Sequence, residues 1–234
     1  MRRLRTVSAQ YSVAEAGSVA DRVAARMRRR MYERFLVAAE IRREDRILDV
    51  GVTSDDKLEA SNYLEAWYPH KNQLTACGID EGAAHLEEKY PGVRYVRADG
   101  KALPFQNNEF DVVHSSAVIE HVGSLGDQVR FVSELTRVAK RSVFITTPNR
   151  WFPVEFHSAL PLIHWLPAPI FRAVLRFIGH EALAREENLN LLSGDDLCEI
   201  CRTLNLGDFD LSGVRLFGWT SNLLLSIRAC AQHV

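Results

Sequence analysis

Three apolar runs in the first half of this chain each end on an acid, and no other feature constrains the fold as much. The first is Arg46-Ile47-Leu48-Asp49-Val50-Gly51, which passes into Val52-Thr53-Ser54-Asp55-Asp56. The second is Leu74-Thr75-Ala76-Cys77-Gly78-Ile79-Asp80, and the third, Val93 to Ala98, meets Asp99-Gly100. Short apolar runs separated by helical periodicity mark strands buried on both faces, hence a parallel sheet with crossover helices. The carboxyl end of such a strand is where open α/β sheets bind small ligands, and a glycine turn into a helix adds backbone N–H donors. The turn after Gly51 is not a full dinucleotide fingerprint, because Thr53 and Asp56 stand where further glycines would fall.

In chain order, the spacing predicts a helix from about Ser18 to Ala39 and a strand over Arg46–Gly51. A helix over Lys57–Tyr68, stopped by Pro69, leads to the strand ending at Asp80. A helix from about Glu81 to Tyr90 precedes the third strand, and Leu103 to Glu109 is a turn-rich feed into a fourth, Phe110–Ser115. A helix over Gly126–Ala139 and a strand over Ser142–Thr147 continue the alternation, so five strands with intervening helices predict a doubly wound sheet. One domain of 234 residues is expected: residues 1–45 as an N-terminal helical appendage, 46–149 as the core, 150–185 as an insertion, and 186–234 as a closing helix and strands.

The net charge of −1 gives no steering toward nucleic acid or anionic lipid. The sign is uneven, since residues 1–34 hold nine arginines against Glu15, Asp21 and Glu33, about +6 by 9 minus 3. Arg22, Arg26, Arg29 and Arg30 alternate with Val23, Ala24, Met27, Met31, Phe35 and Leu36, which predicts an amphipathic helix with a solvated basic face rather than a transit peptide. No uncharged run reaches the roughly 18 residues of a membrane span, and no signal-peptide pattern is read. Cys77, Cys198, Cys201 and Cys230 lack the spacing of a disulfide framework, so a cytoplasmic setting is expected. Cys198-Glu199-Ile200-Cys201 has no second pair to complete a tetrahedral site and is read as core packing, so no metal is expected.

The ordered series Ile-Leu-Asp-Val-Gly, Gly-Ile-Asp, Arg-Ala-Asp-Gly, Leu-Pro-Phe, Phe-Asp-Val-Val-His-Ser-Ser-Ala-Val-Ile-Glu-His-Val and Phe-Ile-Thr-Thr-Pro-Asn resembles the class I S-adenosylmethionine-dependent methyltransferases. Within them it is most similar to the ubiquinone/menaquinone C-methyltransferase-like (methyltransferase type 11) group, over roughly residues 45–150. The resemblance implies an α/β, doubly wound, seven-stranded and mostly parallel sheet, a Rossmann-like methyltransferase fold with the last strand antiparallel. Phe209–Arg215 and Leu223–Arg228 are candidates for its closing pair. It also implies S-adenosylmethionine as cofactor. Asp49, Gly51, Val52 and Thr53 would line its methionine end, Asp80 with Glu81 its ribose, Asp99 with Gly100 its adenine, and Ser115, Ser116, Ala117 and His121 its sulfonium.

The segment Thr147 to Pro169 leaves the carboxyl edge of the sheet. Pro153, Pro161, Pro167 and Pro169 forbid a continuous helix, while Trp151, Phe152, Phe156 and Trp165 supply apolar walls, so it reads as a lid over an acceptor pocket or as a packed cover. His157, His164, Glu155 and His121 are the titratable groups expected near that mouth, with His157 and then His121 as catalytic candidates and His157 the first choice of base. A small, partly apolar acceptor is expected, with no nucleic acid partner. Phe156 to His180, whose apolar positions run from Leu160 to Ile178 with Arg172 and Arg176 between them, permits peripheral membrane contact and a lipidic acceptor. The glycine-poor loop leaves two alternatives, a non-catalytic cofactor-binding homologue and an enzyme that uses S-adenosylmethionine for intramolecular alkyl transfer.

Overall fold

The computed structural model describes residues 17–54, 60–80 and 85–228. In chain order its elements are α1 (Val19–Ala38), β1 (Ile47–Val50), α2 (Tyr63–Trp67), β2 (Leu74–Gly78), α3 (Leu86–Lys89), β3 (Arg94–Arg97), β4 (Phe110–Ser116), α4 (Leu125–Val138), β5 (Ala139–Pro148), α5 (Ala168–Phe177), α6 (Gly194–Thr203), β6 (Phe209–Leu216) and β7 (Trp219–Arg228). The seven strands form one sheet in the order β3-β2-β1-β4-β5-β7-β6. All neighbours from β3 to β5 pair parallel, while β7 pairs antiparallel with both β5 and β6. This is the seven-stranded, mostly parallel sheet that the sequence resemblance implies, closed by the pair expected at 209–228.

Alternation along the central strands divides the core into two layers. Leu48, Val50, Val113, Val143, Ile145, Leu225 and Ile227 point to the face covered by α4 and α6, where Phe131, Leu135, Leu197 and Cys201 bury. Ile47, Ala76, Val112, Phe144 and Leu224 point to the other, where α1 and α2 lie. Residues facing opposite ways at successive positions is the period of a strand, and both sets are apolar because helices cover both faces. Cys201 is fully buried, as the core-packing reading of the CxxC requires, and Cys230 lies outside the described residues.

Local chemistry fixes the helix starts. The Ser18 side chain accepts the Asp21 N–H to begin α1, while Ser124 with Asp127 and Ser193 with Asp196 form capping boxes for α4 and α6. The helix over 57–68 is, among the described residues, only the short α2, and the described part of the helix over 81–90 is α3, with 57–59 and 81–84 outside the described residues. Nor is α1 an appendage. Met27, Met31, Tyr32 and Phe35 bury their side chains, and the Phe35 ring lies 4.8 Å from that of His114 and 5.4 Å from that of Phe144. Arg22, Arg26, Arg29 and Arg30 remain exposed on the opposite side.

Residues 149–192 cross the carboxyl edge. Asn149 bridges Leu192, Val154 bridges Pro161, a 3₁₀ turn spans Ile163–Trp165, and Phe171, Leu175, Leu183, Ala184 and Leu189 make a small separate core. No helix among the described residues is long and apolar enough to cross a membrane.

Because Phe35 is fully buried between β4 and β5 side chains, Phe35→Ala should cost about 3–5 kcal/mol of stability. Urea unfolding would measure it, and a loss under 1 kcal/mol would place α1 outside the core.

Candidate functional site

The loop after β1 explains how the chain manages with one glycine. Gly51 has φ of +105°, and a Cβ there would stand 2.1 Å from a methyl of Val118, so both the turn and the space require glycine. The N–H groups of Gly51 and Val52 donate to the Cys77 carbonyl at 2.7 and 3.2 Å, drawing the loop onto β2. That approach is possible because β2 ends in Gly78, where a Cβ would meet the Val52 carbonyl oxygen at 2.6 Å. Thr53 is held through its backbone. Its N–H donates to Asn62 Oδ1 at 3.1 Å, and Asn62 Nδ2 donates to its carbonyl at 2.8 Å. The close approach that further glycines give in the usual motif is thus made from β2 and α2.

Asp49 does not stand as an open carboxylate at this edge. Its Oδ1 lies 2.7 Å from His114 Nδ1, across the register that pairs Asp49 with His114 on neighbouring strands. His114 Nε2 lies 2.9 Å from the Tyr63 hydroxyl. If His114 donates from Nδ1 to the carboxylate, Nε2 accepts from Tyr63 and the chain of bonds is complete. Burial raises the Tyr63 pKa. Next along α2, Glu65 is fully buried, neither carboxyl oxygen has a hydrogen-bond partner, and burial followed by the Asp49 charge holds its pKa well above the ordinary value near 4.5. Asp49, Gly51, Asn62, Tyr63, His114 and Ser116 surround a cavity of about 20 Å³. A larger cavity of about 230 Å³ lies at the opposite end of the strands, between Ala38, Ser142, Asp208, Asp210 and Arg228.

Asp80 lies two residues beyond β2, half-buried. Its carboxylate accepts from the Ser54 N–H at 3.0 Å and from the Ser54 hydroxyl, so the acid is already tied to the loop after Gly51. Asp99 is exposed and accepts the Lys101 N–H at 2.9 Å, which is the Asp-Gly turn. Gly100 is needed for packing as well, since a Cβ there would stand 2.4 Å from the Phe131 ring. Glu81 lies outside the described residues.

At the end of β4 the Ser115 hydroxyl is fully buried on the Val50 carbonyl, at 2.8 Å, so it turns into the sheet rather than toward a ligand. Ser116 Oγ lies 2.8 Å from Thr146 Oγ1. Ala117 has φ of +55° and passes the chain into a 3₁₀ turn, Ile119–His121. There the structure joins residues distant in sequence. His121 Nδ1 lies 2.6 Å from the Asn188 carbonyl, His157 Nδ1 lies 2.6 Å from Glu155 Oε1, and the two Nε2 atoms face each other at 3.1 Å. Glu155 also accepts the N–H groups of His157 and Ser158 and the Ser158 hydroxyl.

Burial, followed by the His157 charge, depresses His121 to about 3. Burial opposes the protonation of His157, but the Glu155 hydrogen bond and charge outweigh it and raise the pKa. Burial likewise acts upward on Glu155, yet its bonds to His157 and Ser158 bring it down to about 2. Glu120 is fully buried and pushed up to about 7, chiefly by burial, with one oxygen accepting from Thr147 Oγ1 at 2.9 Å. His164, expected near the same mouth, instead bonds the Phe152 carbonyl at 2.7 Å and lies outside this chain of bonds.

Comparison with known proteins agrees with this fold. Residues 48–146 match the methyltransferase domain family. Over 81 residues the chain is 42% identical to a probable S-adenosylmethionine-dependent methyltransferase of Mycobacterium tuberculosis, covering 33% of this chain and 28% of that protein. Over 149 residues it is 30% identical to a ubiquinone/menaquinone biosynthesis C-methyltransferase of Xylella fastidiosa, covering 58% and 59%. The match therefore spans less than two thirds of either relative. Among solved structures, magnesium protoporphyrin IX methyltransferase of Synechocystis, with S-adenosylhomocysteine bound, superposes with a TM-score of 0.53 at 14% identity over 90% of this chain and 86% of that one. Phosphoethanolamine N-methyltransferase 2 of Haemonchus contortus gives 0.54 at 16% identity, over 80% and 38%. These two establish the fold.

The buried Glu65 supplies a pH test. Its folded pKa is raised, so the folded state holds a proton that the unfolded chain releases above about 4.5, and stability falls as pH rises from there toward the folded value. Glu65→Gln keeps the shape without the titration. Its stability advantage over the native chain should therefore grow from pH 5 to pH 8 in urea unfolding, and a difference constant with pH would contradict the burial of an ionisable acid.

Proposed function

We propose that this chain, whose residues 48–146 match the methyltransferase domain family, transfers a methyl group from S-adenosylmethionine to a small, partly apolar acceptor. The observation that carries the reading is the convergence of the Gly51 turn, Asp80 and the Ser116–Ala117 corner on one edge of a sheet of methyltransferase order. The cofactor's methionine end would lie along Asp49, Gly51, Val52 and Thr53, and its adenine by Asp99 and Gly100. The ribose hydroxyls would exchange with Ser54 for the Asp80 carboxylate, and Glu81 is the second residue proposed to contact them. Asp49, paired with His114, acts chiefly by fixing the ends of β1 and β4, and Ser115 acts through its backbone. Ser116, Ala117 and His121 stand nearest the sulfonium.

Methyl transfer is an in-line displacement in which alignment and desolvation of the nucleophile provide most of the acceleration. Residues 150–185 supply the acceptor side. His157 and His121 stand there as one hydrogen-bonded pair, so a proton removed from an acceptor hydroxyl would be taken by the pair rather than by a lone imidazole. Trp151, Leu162, Leu166, Ile170 and Phe177 are large apolar side chains left exposed on this segment, which suits an apolar or lipidic acceptor and contact with a membrane surface.

Isothermal titration with S-adenosylhomocysteine should show one site per chain. Asp80→Ala removes charge-assisted bonds worth roughly 1.5–3 kcal/mol, so Kd should rise about 10- to 150-fold. Unchanged affinity would refute the ribose assignment, and no heat with the native chain would refute the cofactor.

A further inference from the structure

We propose that Glu120, His121 and His157 form a binding site for a divalent transition-metal ion of the zinc class. Three features support it. Both histidines are oriented from behind, His121 by donating Nδ1–H to the Asn188 carbonyl and His157 by donating to Glu155, which is itself fixed by Ser158. A carbonyl or carboxylate on the outer nitrogen is the arrangement that holds metal-binding imidazoles in place. With both Nδ1 atoms donating outward, the two Nε2 atoms face each other across 3.1 Å, so a positive charge belongs between them, either the extra proton that Glu155 favours on His157 or a metal cation. That spacing is also close to the separation of two nitrogens bound at about 2.0–2.1 Å to one ion.

The third feature is Glu120. It is fully buried, Thr147 holds its Oε2, and its Oε1 has no hydrogen-bond partner while lying 3.9 Å from His121 Nε2. One ligand atom from each of Glu120, His121 and His157 lies within 4.8 Å of the others. Two imidazoles and a carboxylate favour Zn²⁺, Co²⁺, Ni²⁺ or Fe²⁺ over Mg²⁺ and Ca²⁺, which prefer all-oxygen ligands. Three protein ligands leave a further position open, as in catalytic rather than structural sites. The ion would sit just beyond the end of β4, beside the Ser116–Ala117 corner, where an oxygen of the acceptor can take the open position. That last role rests on the methyltransferase reading, and there the ion replaces the imidazole pair as the group that eases loss of an acceptor proton, since both Nε2 lone pairs are then bound to it; ion binding itself does not rest on that reading.

The full chain, treated with chelator and dialysed, should be titrated with Zn²⁺ by calorimetry and with Co²⁺ by visible absorption. One ion per chain is expected, with the strong Co²⁺ bands of four- or five-coordination. Glu155→Gln should weaken binding about 10- to 100-fold as an outer-shell change, and His157→Gln by more than that range. Far-UV circular dichroism checks that each variant is folded, and the native chain's Co²⁺ spectrum decides the matter even if none is. Absence of one-to-one binding in the folded native chain, binding that survives His157→Gln, or imidazole ¹⁵N shifts that Zn²⁺ does not move would overturn the proposal, the last leaving a shared proton between the rings. Ion binding without S-adenosylhomocysteine binding would preserve the metal site and sink the methyltransferase reading instead.

Discussion

The chain reverses at Gly51, and the carboxyl edge of the sheet is arranged around that reversal. The turn needs a positive φ, and Val118 from the segment after β4 packs where its side chain would be. Val118 immediately precedes the turn that carries Glu120 and His121. The two halves of the candidate site, the loop after β1 and the corner after β4, are therefore held against each other through the absence of one side chain. The Asp49–His114–Tyr63 bonds run just below, joining β1, β4 and α2, so the edge is fixed by polar contacts where the apolar layers end.

Much of this was legible in the sequence because it is local. Short apolar runs located every strand, with Ile47–Val50 inside the expected Arg46–Gly51, although β5 starts three residues and β7 four residues before the expected Ser142 and Leu223. What escaped is long-range. Nothing near Gly78 announces that it makes room for Val52, and nothing near Asn62 announces that its amide holds Thr53 from nine residues away. His114 looked like one polar residue inside a buried strand, and only the β1–β4 register brings it to Asp49. The basic face of α1 was readable from its arginines, whereas its place in the core depends on what Phe35 meets across the sheet.

The pairing of His121 with His157 illustrates the same limit. Each could be named as a titratable group near the mouth, and neither position hints at the other, since 36 residues and the edge-crossing segment separate them. The structure also alters their chemistry. A lone surface imidazole titrates near neutrality, whereas here Glu155 stabilises the proton on one ring and burial removes it from the other, so the two rings act as a unit.

Electrostatics ties the two sides of the edge together. A chain with net charge of only −1 places two fully buried acids there, Glu65 beneath the β1 loop and Glu120 beyond β4, each with at least one oxygen lacking a partner. Burying a carboxyl group without compensation is unfavourable, and each responds by holding its proton more tightly. A positively charged ligand relieves that cost, because it restores the favourable ionised form in place. S-adenosylmethionine carries positive charge on its amino group and its sulfur, and a divalent ion carries it at a point. Cations at either end of this edge would therefore gain affinity from acids that the protein alone leaves unsatisfied, and in turn would firm the turn and corner that position them.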